Sequence, residues 1–375
     1  MGGSRMSIEE MTTQQTVSIE ANPPSESSPE TLPNPTAESW DSDAILENEK
    51  NLDRQLLIAS KQYATEQRGR SWFHLLTTLL ALAVFVTGAA LGHFLAIRII
   101  ASVLTGLTVV RVFILYHDYQ HNAIFKNSWL GGGILNSYGF LMLTPPSVWK
   151  RSHDHHHKNN SKLFGASIGS FPIMTTENYL KASASEQREY RISRSPLIML
   201  FGYFTVFLFG MCVRPFLVDH KRHWDGGVSI VLHCSLITAS FIWLGWLTTV
   251  LVFIAPAMIA TCSGAYLFYA QHNFPTAKIR PRDKWSYTGA ALQSSSFLKM
   301  SPVMHWFTGN IGYHHVHHLN SKIPFYRLPE AMSELEPLRT PNTTTLRLGE
   351  ICKCLSLKLW DAPRDRFITF AEAKE

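Results

Sequence analysis

An all-α integral membrane protein is the fold class that the sequence predicts: four transmembrane helices, in-plane or re-entrant helices beside them, and a cytoplasmic helical cap carrying a di-metal site. Three observations predict it. Several apolar runs are long enough to cross a bilayer. Charged residues make up only 17% of the 375 positions, low for a soluble domain. The 17 histidines gather at the ends of the apolar runs. The mean hydropathy of −0.01 averages those runs with a polar head and polar loops. The formal net charge is +6, and the basic residues flank apolar runs, as Arg68 and Arg70 do before Trp72. That is a membrane-flanking pattern; nucleic-acid binding would need Lys and Arg clustered on a soluble face, and no nucleic-acid partner is expected. Of the five cysteines, Cys212, Cys234 and Cys262 lie in apolar segments, and Cys352 and Cys354 form a lone C-x-C. No zinc or disulfide spacing emerges.

Residues 1–45 are rich in Ser, Thr, Pro and Glu, which predicts a disordered acidic tail. They have neither the apolar core of a signal peptide nor the basic composition of a transit peptide. Residues 46–375 are expected to form one catalytic domain. Ile45, Leu52, Leu56, Leu57 and Tyr63 have helical apolar spacing, which predicts a surface helix over 44–67. Spans follow at about 72–95 and 99–116. Residues 129–148 are apolar but glycine-rich and end in Pro145-Pro146. Residues 196–218 are apolar, with Arg214 and Pro215 near their end. Residues 228–270 are about twice a membrane thickness and break near Gly245.

The histidines act as a ruler for these segments. The clusters at 117–121, 153–157, 272 and 314–318 can meet only on one side of a membrane, so an even number of crossings separates each pair. Residues 129–148 therefore do not cross, and only two of 196–218, 228–247 and 248–270 do. The loop Asp219–Gly227 carries Lys221 and Arg222, which places it in the cytoplasm. That makes 196–218 in-plane or re-entrant and gives 228–247 and 248–270 as the last two spans. The site and both termini are expected on the cytoplasmic side.

The first cluster is His117-Asp118-Tyr119-Gln120-His121, whose two histidines share a helix face. The second is His153-Asp154-His155-His156-His157, and the third His314-His315-Val316-His317-His318. In each of these the first, fourth and fifth residues lie within about 100° of helical arc, and the third or second points away. His272 follows the last span in Tyr269-Ala270-Gln271-His272-Asn273-Phe274. Nine imidazoles are too many for one metal and suit two with four or five each. Imidazole takes Zn, Cu, Fe and Ni alike, so the ligand atoms do not choose among them. There is no H-E-x-x-H for a zincin and no E-x-x-H for a ferritin-like carboxylate site. Asp118 and Asp154 are expected to accept from imidazole N–H groups and offset metal charge. His74, His93, His220, His223, His233 and His305 are read as interfacial or packed. Arg111 is expected either to reach the interface or to hold an acidic partner or a lipid head group.

The matching text HDYQH, HDHHH, QHNF and GNIGYHHVHHL resembles the membrane fatty acid desaturase family over roughly residues 68–330. It looks most similar to bacterial and cyanobacterial acyl-lipid delta-12 (omega-6) desaturases. The resemblance implies four spans and a cytosolic cap holding two irons on His117, His121, His153, His156, His157, His272, His314, His317 and His318. Some relatives place an Asn four residues before the lone histidine, helping to bind iron through water. Here that position is Phe268, and Asn310, four residues before His314, is a candidate for the role. The first box has Tyr119-Gln120 where plant-like relatives differ.

The implied reaction removes two hydrogens from adjacent methylenes of a fatty acyl lipid, with O2 as co-substrate and two external electrons. With no fused haem domain, a ferredoxin or cytochrome-type carrier is expected to dock, drawn by the basic groups Lys150, Arg151, Lys158, Lys162, Lys221 and Arg222. An unactivated methylene offers no charge to grip, so selectivity must come from position. A narrow tunnel is expected along 129–148 and 285–307, with Trp149, Trp306 and Tyr313 as candidate lining residues. A hydroxylase, acetylenase or carotenoid ketolase would use the same ligands. A metal transporter would need mid-membrane ligands, and a zinc hydrolase about three ligands and a general base. The missing targeting peptide favours a bacterial plasma membrane.

Overall fold

The computed structural model describes residues 51–163 and 169–374; the acidic segment 1–45 lies outside them. Residues 51–60 are helical, as the apolar spacing predicts. Their apolar face docks on the cap: Leu56 and Tyr63 are buried, and the Tyr63 hydroxyl donates to Glu334 at 2.7 Å.

Helix α1 (Arg68–Leu91) and helix α2 (Leu95–Gln120) pack side by side around a tight turn at 92–94. Both start about four residues before the spans read from hydropathy: α1 takes in the polar flank 68–71, and α2 the apolar residues 95–97 and Arg98. In α2 two buried threonines bond to their own backbone, Thr105 to the Ala101 carbonyl at 2.8 Å and Thr108 to the Leu104 carbonyl at 2.7 Å. Helix α3 (Trp129–Leu141) is about 20 Å long, short of the roughly 30 Å of a bilayer core. Helix α4 (Pro146–Asn159) follows, started by a proline whose missing N–H costs nothing there. Helix α5 (Tyr203–Val218) is wound with π-type turns over Tyr203–Val213. His233 fastens it, its Nδ1 donating to the Leu141 carbonyl (2.7 Å) and its Nε2 meeting the Tyr203 hydroxyl (2.7 Å).

Helices α6 (Trp224–Thr249) and α7 (Ala255–Ala270) belong to one apolar stretch of 47 residues. It is not one rod. Gly245 has φ 76° and ψ 168°, a conformation almost only glycine adopts. The hydroxyls of Ser240 and Thr249 bond at 3.0 Å, whereas nine residues of straight helix would separate them by about 13 Å. The chain therefore doubles back at Gly245. Arg98 ties the two turns together, donating to the Ala89 carbonyl and to Thr248 Oγ1, each at 2.8 Å. Both turns thus lie at the end of the molecule opposite His117. Where α2 and α7 cross, a Cβ on Gly106 would sit 2.8 Å from the Ile259 Cβ. Such close approach is what holds helices together when the surroundings are as apolar as the side chains.

Arg111 departs from expectation. It is buried, so it does not reach the interface, and neutral groups hold it instead of an acid. Its Nε donates to Thr78 Oγ1 at 2.8 Å, its Nη1 to the Trp306 carbonyl, and its Nη2 faces His74 Nδ1 at 3.3 Å. The guanidinium lies 4.3 Å from the Trp306 ring centre, a cation–π arrangement that joins α1, α2 and helix α8 (Pro302–Phe307).

The cap contains helix α9 (His314–Leu319) and two small sheets, so the fold is mainly rather than wholly helical. Strands β1 (Phe297–Lys299) and β2 (Thr343–Thr345) pair in parallel; β3 (Leu359–Asp361) and β4 (Arg366–Ile368) pair antiparallel. Each strand has three residues, too few for a two-residue alternation to stand out in the sequence.

Candidate metal centre

Each histidine box sits on an element that aims it inward. His117 lies in the last turn of α2, and His121 one turn further, at its cap. On α4 the inward face carries His153, His156 and His157, all buried, beneath the ring of Trp149, which stacks on His153 at 4.5 Å. His272 follows α7. Helix α9, which carries the third box, is only six residues long, and its approach explains the GNIG that precedes it. Gly309 (φ 50°) and Asn310 (φ 55°) make a left-handed turn, and a Cβ on Gly309 would lie 2.8 Å from Ile114 Cγ2 of α2. A Cβ on Gly312 would lie 2.6 Å from the Leu298 carbonyl of β1.

These elements bring the nine sequence-predicted imidazoles into two groups. His117, His121, His153, His157 and His317 form one, and His156, His272, His314 and His318 the other; within each, the ligand atoms lie within 4.8 Å of one another. The groups adjoin, with the His157 and His318 rings stacked at 4.3 Å. The Nε2 atoms point at each other. In the group of five, His153 lies 3.0 Å from His117 and 3.1 Å from His157, which lies 3.1 Å from His317. In the group of four, His156 lies 3.1 Å from His272 and 3.3 Å from His318, and His272 lies 2.9 Å from His314.

This donor set fits metal ions. An imidazole nitrogen carries one proton or one lone pair, yet the Nε2 atoms of His153, His157, His156 and His272 each face two others. Hydrogen bonds cannot satisfy both; a shared cation can. His121 Nε2 is buried with no hydrogen-bond partner. Burial, reinforced by neighbouring imidazoles, holds His153, His157, His314, His317 and His318 well below the ordinary histidine pKa. Burial takes His272 down to about 4, against the opposing pull of the Ser294 carbonyl. Those rings are neutral at pH 7 and present lone pairs.

The groups behind the ligands match the sequence reading in part. Asp118 is buried; one oxygen meets His117 Nδ1 at 3.0 Å and the other accepts the Phe325 N–H at 2.7 Å. Asp154 does not meet an imidazole. It lies about 100° around α4 from His153, where it accepts from Lys150 Nζ at 2.9 Å. Nor does Asn310 face the rings: its amide donates to the Phe325 carbonyl at 3.1 Å, bracing the residue whose N–H Asp118 accepts. The Ser294 carbonyl, 3.0 Å from His272 Nδ1, orients that ring, and backbone partners of this kind leave no mark in a sequence. Phe268 packs on His156 at 4.8 Å. His315 turns away to the Leu338 carbonyl at 3.2 Å. Neither His155 nor any of His74, His93, His220, His223, His233 and His305 joins a group. Of the candidate tunnel aromatics, Trp306 packs on Arg111 and Tyr313 on Phe297 at 4.8 Å.

Long apolar helices that end in two converging groups of buried imidazoles define a membrane protein with a di-metal histidine centre. The family model described as fatty acid desaturase matches residues 93–347. A Bacillus subtilis protein named fatty acid desaturase is 30% identical over 88% of this chain and 93% of its own length. A Synechocystis sn-1 oleoyl-lipid 12-desaturase is 22% identical over 74% of this chain and 78% of its own length. A Nostoc sn-1 acyl-lipid omega-3 desaturase (ferredoxin) is 22% identical over 60% and 64%. The chain belongs to the fatty acid desaturase family: it is an integral membrane oxidoreductase that desaturates fatty acyl chains. The more similar of these relatives has no bond position in its name, so the delta-12 likeness is the more distant one.

Proposed function

We propose that this chain is an O2-dependent acyl-lipid desaturase whose nine imidazoles hold two irons, fed with electrons by a separate carrier. The observation that carries the reading is the convergence of five and four imidazoles at the ends of apolar helices. Taking hydrogen from an unactivated methylene requires a metal that changes oxidation state, which zinc does not, and iron suits imidazole ligands. When bound, the irons would pass electrons to O2 and supply the oxidising power toward the acyl chain.

The protein's own residues do the rest. Asp118 and the Ser294 carbonyl fix His117 and His272 through their Nδ1 atoms, a support that strengthens ligands and sets their orientation. Trp149 covers His153 and His117 (ring centres 4.5 and 5.6 Å) and excludes water from that side. The acyl chain is held by shape along 129–148 and 285–307, because a chain arriving from lipid gains little from burial.

Four crossings embed the domain 46–375, over 68–91, 95–120, 224–244 and 246–270. The latter two are about 31 and 37 Å long, enough for a bilayer core. Exposed Trp243 and Trp246 at the Gly245 turn, and Trp224 and Trp129 at the other end, fit aromatic belts at the two interfaces. The site and both termini face the cytoplasm, and the setting is a bacterial plasma membrane. Likeness to acyl-lipid 12-desaturases makes a mono-unsaturated acyl lipid the first substrate to test.

Fatty-acid profiling of a host that lacks polyunsaturated lipids tests the reading. A new double bond is expected, and its position fixes the regiochemistry. A hydroxylated lipid or an oxygenated carotenoid in its place would contradict desaturation.

A further inference from the structure

The indole of Trp285 sits half-buried at the edge of the cap, wired to the centre. Its Nε1 donates to the Asn160 carbonyl at 2.8 Å, and Asn160 directly follows α4, the helix of His156 and His157. The Asn160 side chain donates to Ser295 Oγ at 3.1 Å. The adjacent Ser294 carbonyl meets His272 Nδ1 at 3.0 Å. One hydrogen bond and a stretch of backbone, or three hydrogen bonds, thus join the indole to two of the four imidazoles in the second group.

The surface around this ring is basic. Lys162 Nζ lies 4.0 Å from the Trp285 ring centre, and its segment bridges to Arg280. Arg282 and Lys284 are exposed immediately before Trp285, and Lys158 is exposed one turn before Lys162, with Arg151 on the same face of α4. Among the described residues, the nearby carboxylates do not balance these cations. Asp154 is paired with Lys150 and Asp365 with Lys278 and Arg280, which leaves Asp283.

We infer that an acidic one-electron carrier protein docks on the basic face around Trp285, and that the indole passes its electrons to the group of four imidazoles. The inference rests on the reading of the centre as a redox centre. Complementary charge steers the encounter, and covalent and hydrogen-bonded contact carries an electron better than a gap. Each docking oxidises one carrier by one electron and reduces one metal by one. Two dockings supply the pair that a turnover consumes. With two solvent protons and the two hydrogens of the acyl chain, they reduce O2 to two waters.

The test uses the full iron-loaded chain in nanodiscs and an acidic [2Fe–2S] ferredoxin. Joint Lys158→Glu, Arg282→Glu and Lys284→Glu substitution is expected to weaken ferredoxin binding at low salt by about tenfold or more and to flatten its salt dependence. Joint Lys221→Glu and Arg222→Glu substitution, on a different loop, leaves binding unchanged. Trp285→Leu is expected to bind ferredoxin normally but to accept its electrons at least about tenfold more slowly, while dithionite reduces the irons at the wild-type rate. If Trp285→Leu fails to load iron, Trp285→Phe replaces it and is expected to slow the same step. Wild-type binding by the triple variant overturns the docking face, as does a loss confined to anionic vesicles. Wild-type reduction by ferredoxin in the Trp285 variants overturns the path. A wild-type centre that dithionite cannot reduce overturns the underlying reading instead.

Discussion

At the scale of single residues, the centre depends on imidazoles that touch one another and on the few groups that aim them. His157 lies 3.1 Å from both His153 and His317 and stacks on His318 of the other group. His157→Ala is expected to abolish desaturation while membrane insertion, read by carbonate extraction, stays intact; normal turnover would remove the second box from the site. Asp118→Asn keeps the shape but weakens the hold on His117, and is expected to lower metal affinity or activity by about 10- to 100-fold, measured by iron content at limiting supply. The nine imidazoles were legible because two boxes repeat one helical spacing, and that spacing survives folding. Asp154 was misread because position on a helix, not closeness in sequence, decides what a carboxylate meets. Asn310 was misread because a left-handed turn swings it toward Phe325. Asn160, Ser294 and Trp285 act through contacts between distant segments, which no spacing announces.

At the scale of elements, the two hairpins position the boxes. The break near Gly245 was visible as glycine inside an overlong apolar run, and its backbone conformation bears the cost that glycine avoids. Gly245→Ala has room for the new methyl, with nothing within 4 Å, so its effect reports conformation alone. It is expected to destabilise the protein by about 1–3 kcal/mol, seen as a lower melting temperature at unchanged iron content; an unchanged melting temperature would argue against the turn. Hydropathy set the starts of α1 and α2 about four residues late and the end of α2 about four residues early, since a helix can run on past the apolar surface that betrays it. The small sheets of the cap were not legible at all, because strands of three residues are made by their partners rather than by their own pattern.

At the scale of the whole molecule, the histidines bear on what hydropathy leaves open. Ligands that meet on one side of a membrane would permit only an even number of crossings between boxes, and α3, about 20 Å long, is shorter than a bilayer core. A protease site placed at 222 is expected to be cut from the same side as one placed at 158; cleavage from opposite sides would contradict four crossings. The proposed centre holds two irons, one for each group of imidazoles. Its most direct test is the iron content per chain of protein purified anaerobically from iron-supplied cells, beside His121→Ala from the group of five and His314→Ala from the group of four. The expected result is about two irons in the native chain and about one in each variant, with one metal per imidazole group. A native chain that holds a single iron, or variants that both keep two, would contradict it.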